Sequence, residues 1–336
     1  PVATMGNFYA DAQQTNLNLE EQAHALFQQF GGFDVIHAHD WLVAFAAASL
    51  KRIHKTPLLA TIHATERGRG RGYLGGETSH AINGTEWWLT YEAWRVITAS
   101  LYMADEVKSY FQVPRDKIDV VPNGVDPAPF DALEGVDLSN FRARWARPDE
   151  RIVFSVGRLV QEKGAHLIVE AAPRVLARNA NTRFIIAGTG GMGEYLKRRV
   201  AELGIGDRVN VAGFVSDADR NRLLKVSDAA VFPSIYEPFG IVALEAMAAR
   251  CPVVVSSVGG LGEVVQHEKT GITVYPDNID SLAWGILETL NHPAVAAARA
   301  EKAYRIVKTD YSWDHVAALT IEVYERIIRE RAKTDW

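Results

Sequence analysis

The chain has 336 residues, 48% of them hydrophobic and 23% charged, with a formal net charge of -5. That composition suits a folded protein of two or three domains and excludes a disordered one, and with no long basic run it argues against nucleic acid or a charged membrane surface as partner. A single cysteine, Cys251, excludes an internal disulfide framework; no apolar run reaches the length of a bilayer span, and a cytoplasmic location is expected.

The opening PVATMGNFYADAQQTN is polar and turn-rich and does not begin with methionine. From residue 34 strands and helices alternate. Apolar strands are expected at 34–40, 57–64, 95–100 and 117–126, and helices at 41–54, 85–94 and 101–111. The run ERGRGRGYLGGE between the second strand and its helix is too rich in glycine and arginine for regular structure. Three prolines and many acidic residues mark 127–150 as a change of composition. The second half repeats the rhythm, with strands at 152–157, 183–188, 209–214, 228–234 and 252–257. Its helices are expected at 165–178, 193–203, 217–226 and 241–249, and two more, 279–290 and 315–329, close the chain.

Strands separated by helices predict parallel sheets covered on both faces. The expected organisation is an α/β domain over 1–130, a linker over 131–150 and a second α/β domain over 151–308. A terminal helical segment, 309–336, crosses back to the first domain. Two doubly wound halves of this kind place a cleft at the carboxyl ends of both sheets.

One stretch carries most of the chemistry. In YEPFGIVALEAMAAR (236–250), Glu237 and Glu245 have seven residues between them, and Pro238 and Gly240 break the chain before a helix-forming run. A strand, a sharp turn and a helix leave the first helical N–H groups pointing outward, where an anion can sit. A carboxylate beside that place repels the anion, so Glu237 is expected to face another part of the ligand, such as hydroxyl groups. A sugar joined to a diphosphate has both features.

At the end of another strand, GRLVQEKG brings Arg158 as a fork and Lys163 as a point charge. Loops commonly carry such residues for solvation alone; sharing a cleft with the Glu237 turn favours the diphosphate. The AGTGGMGE turn lacks the third glycine and downstream acid of a dinucleotide fingerprint, and reads first as a tight turn that also lets a ligand approach the backbone. In the first half, HAHDW sets His37, His39 and Asp40 at a strand end and TIHATE sets His63 at the next. His37 and His39 share a face, which makes a metal conceivable, but no further ligand has suitable spacing. Asp217 and Asp219 follow Ser216 and read as a capped helix start rather than a metal pair. Trp87, Trp88, Tyr91 and Trp94 suit a core face better than a sugar platform.

In this order HAHDW, TIHATE, PNGVD, SVGRLVQEKG, AGTG, GFVSD, PSIYEPFGIVALEAMA and SSVGGLGEVV resemble the retaining nucleotide-sugar glycosyltransferases of family GT4, with the GT-B fold. The IHATERGR and GTEWWLTYEAW runs look most like the glycogen and starch synthase branch. The resemblance covers about residues 34–324. It implies transfer of glucose from ADP- or UDP-glucose to an α-1,4-glucan, with no metal and no cofactor. Arg158 and Lys163 would hold the donor diphosphate, helped by the backbone of Phe239, Gly240 and Ile241, with Gly157, Gly188 and Gly190 beside it. Glu245 would hold the ribose, Phe214 and Val215 would lie at the base, and Glu237 would contact the transferred sugar, with Asp40 and His63 lining its pocket. Catalytic weight would fall on His63, Glu237, Arg158 and Lys163, while the leaving diphosphate takes the acceptor proton.

The family's opening strand and glycine-rich loop are not found, so the first domain is expected to be truncated at its N-terminus and to regain turnover when mixed with the missing segment. The alternatives are a relative with another donor or acceptor (mannosyl-, sucrose- or trehalose-type), a same-fold epimerase and a non-catalytic nucleotide-sugar-binding protein. Donor base, acceptor length and oligomeric state stay open.

Overall fold

The computed structural model describes residues 7–336. The chain forms two units, Pro1–Pro122 with Val316–Trp336, and Asn123–His315. Each is built on a parallel sheet.

The first unit holds β1 (Ile36–His39), β2 (Leu58–Ile62), β3 (Arg95–Thr98) and β4 (Ile118–Val120), paired in sequence order. Alternation across the strands sends side chains to two faces. Leu58, Ala60, Ile62 and Val96 enter one core with Met103, Val107 and Phe111. Leu59 and Ile97 enter the other, where Val316, Val323 and Ile327 of the helix Trp313–Arg331 cover them. Buried Arg95 adds a polar tie to that helix through Glu330 at 3.4 Å, while its Nε meets Asp119 at 2.5 Å.

Three features of this unit depart from the sequence reading. Much of the polar opening is a helix, Phe8–Phe30, started by the Asn7 side chain accepting from Tyr9 N–H and ended by Gly31 in a left-handed conformation. Ala12, Asn16 and Phe27 are its buried residues, so its apolar periodicity is faint. Asn16 replaces apolar contact with hydrogen bonds, donating to Leu42 O and accepting from Ala46 N–H. Residues 1–6, the start of that stretch, lie outside the described residues. The glycine–arginine run is also partly ordered: Thr65 caps a helical turn, Glu66–Arg69, and the next helix begins at Gly76, well ahead of residue 85.

The second unit holds β5 (Arg151–Val156), β6 (Thr182–Ala187), β7 (Val209–Gly213), β8 (Ala229–Phe232), β9 (Val253–Ser256) and β10 (Ile272–Val274), in the order β10-β9-β8-β5-β6-β7. The chain winds outward from β5 through β6 to β7, then returns to β8 on the other side and winds outward again. Val153, Phe184, Ile186, Val231 and Val254 pack with Leu167, Ile168 and Ile286 from the helices Ala165–Leu176 and Ile279–Asn291.

Residues 131–150 belong to this second unit rather than forming a free linker. Phe141 is buried, and the almost fully buried Glu150 carboxylate accepts from Arg147 N–H at 2.7 Å and Arg208 at 2.8 Å. Beyond short helical turns, β10 and the helix Pro293–Asp310 escaped the sequence reading. That helix buries Ala296, Ala300, Ala303, Tyr304 and Val307, a helical stripe whose small side chains give little hydrophobic contrast. Among the described residues no helix is long and apolar enough to cross a membrane.

Ile327 is fully buried against the first sheet. Ile327→Ala is expected to destabilise that unit by about 2–4 kcal/mol through lost burial and a residual cavity. Denaturant unfolding checks this, and an unchanged midpoint would show that the helix does not close this core.

Candidate functional site

In the second sheet the order reverses beside β5, the place where open α/β sheets leave a crevice at their carboxyl ends. A recess of about 380 Å³, counting open solvent at its mouth, lies there, lined among others by Gly157, Arg158, Lys163, Ser234 and Val242. Its walls are turns pressed backbone to backbone. Gly188 has φ +132°, and a Cβ on it would stand 1.8 Å from Gly157 O. Gly164 has φ +69°, and a Cβ there would stand 2.0 Å from Pro233 O. No other residue type fits either place without moving a strand end. Gly190 belongs to the same stack, under Leu159, whose N–H donates to Thr189 O at 2.8 Å.

The charged side chains are arranged unevenly. Arg158 is two-thirds exposed, with Glu162 beside it at 3.2 Å. Lys163 closes the turn Gln161–Lys163 and donates to the Glu237 carboxylate at 2.7 Å. Glu237 is 6% exposed and also accepts from Ser234 Oγ at 3.2 Å. Lys163, read from sequence as a phosphate ligand, is therefore paired with Glu237, while Arg158, paired with Glu162, is the more exposed of the two cations.

The helix Ile241–Ala248 starts at Gly240, φ +108°, with no side-chain cap, so its first N–H groups keep their partial positive charge. Ile241 is exposed, while Phe239 is buried and meets Tyr311 edge-on at 6.0 Å. Glu245, in the same helix, faces Arg220 at 3.4 Å. Burial pushes its carboxyl above the usual range, Arg220 opposes this, and Asp217 adds to it. Phe214 stands 78% exposed after β7, with Val215 half-buried next to it. Asp217 and Asp219 lie in the first turn of a helix capped by Ser216, whose hydroxyl accepts from Asp219 N–H.

In the first unit the histidines form a stack at the ends of β1 and β2. His37 and His39 have ring centroids 4.4 Å apart, and His39 and His63 5.3 Å apart with their nitrogens at 3.0 Å. His37 is tied on both sides, to Tyr324 and Thr61, each at 2.7 Å. Burial first, then the neighbouring imidazoles, lowers its pKa to about 4, and the same causes lower that of His39. Asp40 has the left-handed φ of +57° and accepts from His63 N–H at 2.8 Å, so it fixes the backbone that presents His63.

Sequence reasoning missed Glu86. Fully buried on the helix Gly76–Glu92, it accepts the Glu66 N–H with both oxygens, at 2.9 and 3.0 Å. Burial pushes its carboxyl up to about 8, against the pull of that N–H and Arg69. With the hydrogen bond between Thr65 and Glu106, it clamps the loop after His63. An acid within an apolar run, GTEWWLT, was its one signal. Of the tryptophan cluster, Trp88 and Trp94 pack against cores, while Trp87 and Tyr91 lie exposed and stacked on each other at 5.6 Å. Among the described residues no group of three or more His, Cys, Asp and Glu could hold a metal ion.

The family model for glycosyl transferases group 1 matches residues 139–306, half of the chain, and that for glycosyltransferase family 4 matches 8–129. The chain belongs to the family 4 glycosyltransferases. An uncharacterized glycosyltransferase of Methanocaldococcus jannaschii is 44% identical over 295 residues, 87% of this chain and 75% of that one. The glycogen synthase of Mycobacterium tuberculosis is 38% identical over 291 residues, 87% of this chain and 68% of the relative. Among solved structures, sucrose-phosphate synthase from Thermosynechococcus elongatus superposes with a TM-score of 0.78 at 25% identity, covering 94% of this chain and 79% of its own. Anabaena HepE, solved with UDP and glucose, gives 0.75 at 21% identity over 97% and 83%. The fold is GT-B. Membership makes the chain an enzyme of the glycosyltransferase class, against the epimerase and non-catalytic alternatives.

Two outcomes follow from this geometry. Gly188→Ala is expected to lower stability by on the order of 3 kcal/mol, because it adds both strain and a clash with Gly157 O; a wild-type unfolding midpoint would contradict the interlocked turns. The second concerns pH. His37 stays neutral when folded but protonates near 6.5 when unfolded, so its contribution is complete above pH 6.5 and is lost as pH falls toward 4. The loss is expected to be on the order of 2 kcal/mol, and His37→Gln should flatten that part of a melting-temperature profile.

Proposed function

We propose that the chain is a retaining glycosyltransferase that moves glucose from ADP- or UDP-glucose to an α-1,4-glucan. The observation that carries this reading is the recess beside β5, with an exposed arginine, a lysine held by a buried glutamate and an uncapped helix start on one rim. The 38% identity to a glycogen synthase supports glucan as acceptor.

The proposed mechanism follows from the charges. A diphosphate brings negative charge to a place where Arg158 and the N–H groups at Gly240–Ile241 already favour it. Lys163 is shared between Glu237 and the arriving phosphate. As the lysine leans toward phosphate, the Glu237 carboxylate gains acceptor capacity for the hydroxyls of the transferred sugar. When the bond between the sugar's anomeric carbon and the phosphate oxygen breaks, the electron pair leaves with the diphosphate, where these cations stabilise it. The acceptor hydroxyl forms the new bond on the same face and gives its proton to that departing oxygen. Glu245 is assigned to the ribose hydroxyls, Phe214 and Val215 to the base, and Asp40 and His63 to the sugar. No metal or cofactor is assigned a part.

Glu237→Ala is expected to reduce transfer by about 100-fold or more, while the nucleoside diphosphate binds as well as before or tighter, since Lys163 loses its competing partner. Arg158→Ala should weaken nucleoside diphosphate binding by roughly 10-fold, the value of a charged hydrogen bond. Calorimetry and initial rates separate the two; unchanged transfer in the first or unchanged affinity in the second would refute the role. The reading as a whole is tested by offering ADP-glucose, UDP-glucose and GDP-mannose with maltoheptaose. An α-linked glucan one glucose longer is expected from a glucose donor, and elongation from none of the donors would contradict it.

A further inference from the structure

A second concave surface lies on the same rim of the second sheet, at its outer edge. It is a groove of about 1090 Å³, counting open solvent, at the carboxyl ends of β9 and β10. Tyr275 directly follows β10 and is 75% exposed; Trp284, on the helix Ile279–Asn291, is 46% exposed. The His267 ring stands 6.2 Å from that of Trp284. Three exposed rings thus border one groove, two of them large aromatics at positions where a polar residue would cost nothing.

The rest of the lining says what such rings are for. It holds the hydroxyls of Ser257, Thr273 and Ser281 and the amide of Asn278, with no lysine, arginine, aspartate or glutamate. An ionic ligand such as a phosphate finds no counter-charge here. A purely apolar ligand would take from water the hydrogen-bonding capacity that these hydroxyls and the amide have beyond their internal bonds. The lining matches a neutral ligand with apolar ring faces and hydroxyl edges, which is a sugar. Its C–H face lies flat on an aromatic ring, and its hydroxyls exchange hydrogen bonds with short polar side chains.

The groove is also held in shape. His267 Nδ1 accepts from Thr273 N–H at 3.1 Å, Tyr275 N–H donates to Ser281 Oγ at 3.0 Å, and Asn278 caps the helix through Ser281 N–H at 2.8 Å. These bonds fix the backbone that carries the rings before any ligand arrives, which lowers the ordering cost of binding. Three strand steps separate β10 from β5, about 14 Å along the rim.

We propose that the groove bordered by Tyr275, Trp284 and His267 is a glycan-binding site separate from the donor recess, and that its ligand is a segment of α-1,4-glucan. The choice of that glycan rests on the function proposed above. The neutrality and ring geometry of the site do not.

The test is hydroxyl-radical footprinting of the whole chain with and without maltoheptaose, paired with retention in a gel containing glycogen. Saturating maltoheptaose is expected to protect Tyr275 and Trp284 from oxidation at least threefold, and Tyr275→Ser, a change at an exposed position, to reduce glycogen retention at least fivefold. Transfer to a saturating short acceptor should stay at the wild-type rate. Trp284→Phe, which keeps a ring in the half-buried place, should retain an intermediate affinity. Undiminished oxidation of both rings, or wild-type retention by Tyr275→Ser, overturns the site. Protection of the rings in a chain that elongates no glucan would instead uphold the site and remove the proposed transfer reaction.

Discussion

The short contact between Lys163 and Glu237 is the interaction on which the site depends. A charge with so little exposure is costly to bury unless it is paired and hydrogen-bonded. An ammonium at 2.7 Å, with Ser234 Oγ nearby, holds the charge in place. The energetic lesson of buried pairs is that removing one partner is costly, whereas offering one partner a better charge is not. A diphosphate carries more negative charge than one carboxylate, so it can draw Lys163 without leaving it unpaired. Under the proposed function Lys163 is shared between phosphate and Glu237, and the carboxylate gains capacity to accept sugar hydroxyls. In that proposal one contact links recognition of the phosphates to presentation of the sugar.

That contact is only as good as the turns that hold it. Lys163 comes from the turn after β5 and Glu237 from the turn after β8, and the two meet because Gly164 lets its turn rest directly on Pro233 O. The turn after β6 is pinned to the first by Gly188 on Gly157. Backbone-on-backbone contact leaves no side chain to adjust, so the relative positions of Arg158, Lys163 and Glu237 are set by strand spacing. In the first unit a different device serves the same end. Asp40, Glu86 and Glu106 secure, through backbone or side-chain hydrogen bonds, the segment that carries His63.

The fold was legible wherever apolar strands alternate with amphipathic helices, and the resemblance to family 4 rested on turn residues whose spacing survives in print: the glutamate pair of 236–250 and the Arg158–Lys163 loop. Features with weak contrast were lost. The helix Phe8–Phe30 buries Asn16 where an apolar residue would have signalled it, and Pro293–Asp310 covers its neighbours mainly with alanine. The segment 131–150 looked like a linker because its order comes from distant partners, such as Arg208 for Glu150, that no local pattern announces. Gly157, Arg158 and Lys163, which line the recess beside β5, were singled out from the sequence, but their electrostatic arrangement was not legible there. Nothing in the spacing of Lys163 and Glu237, 74 residues apart, says that they are bonded to each other.

The most direct measurement is a crystal structure of the chain with bound UDP-glucose or ADP-glucose. The account predicts the diphosphate within hydrogen-bond distance of Arg158 and Lys163 at the start of the helix Ile241–Ala248, with the Lys163–Glu237 contact lengthened and Glu237 on the sugar hydroxyls. A ligand bound with that contact unchanged, and its phosphates away from Arg158, would contradict it.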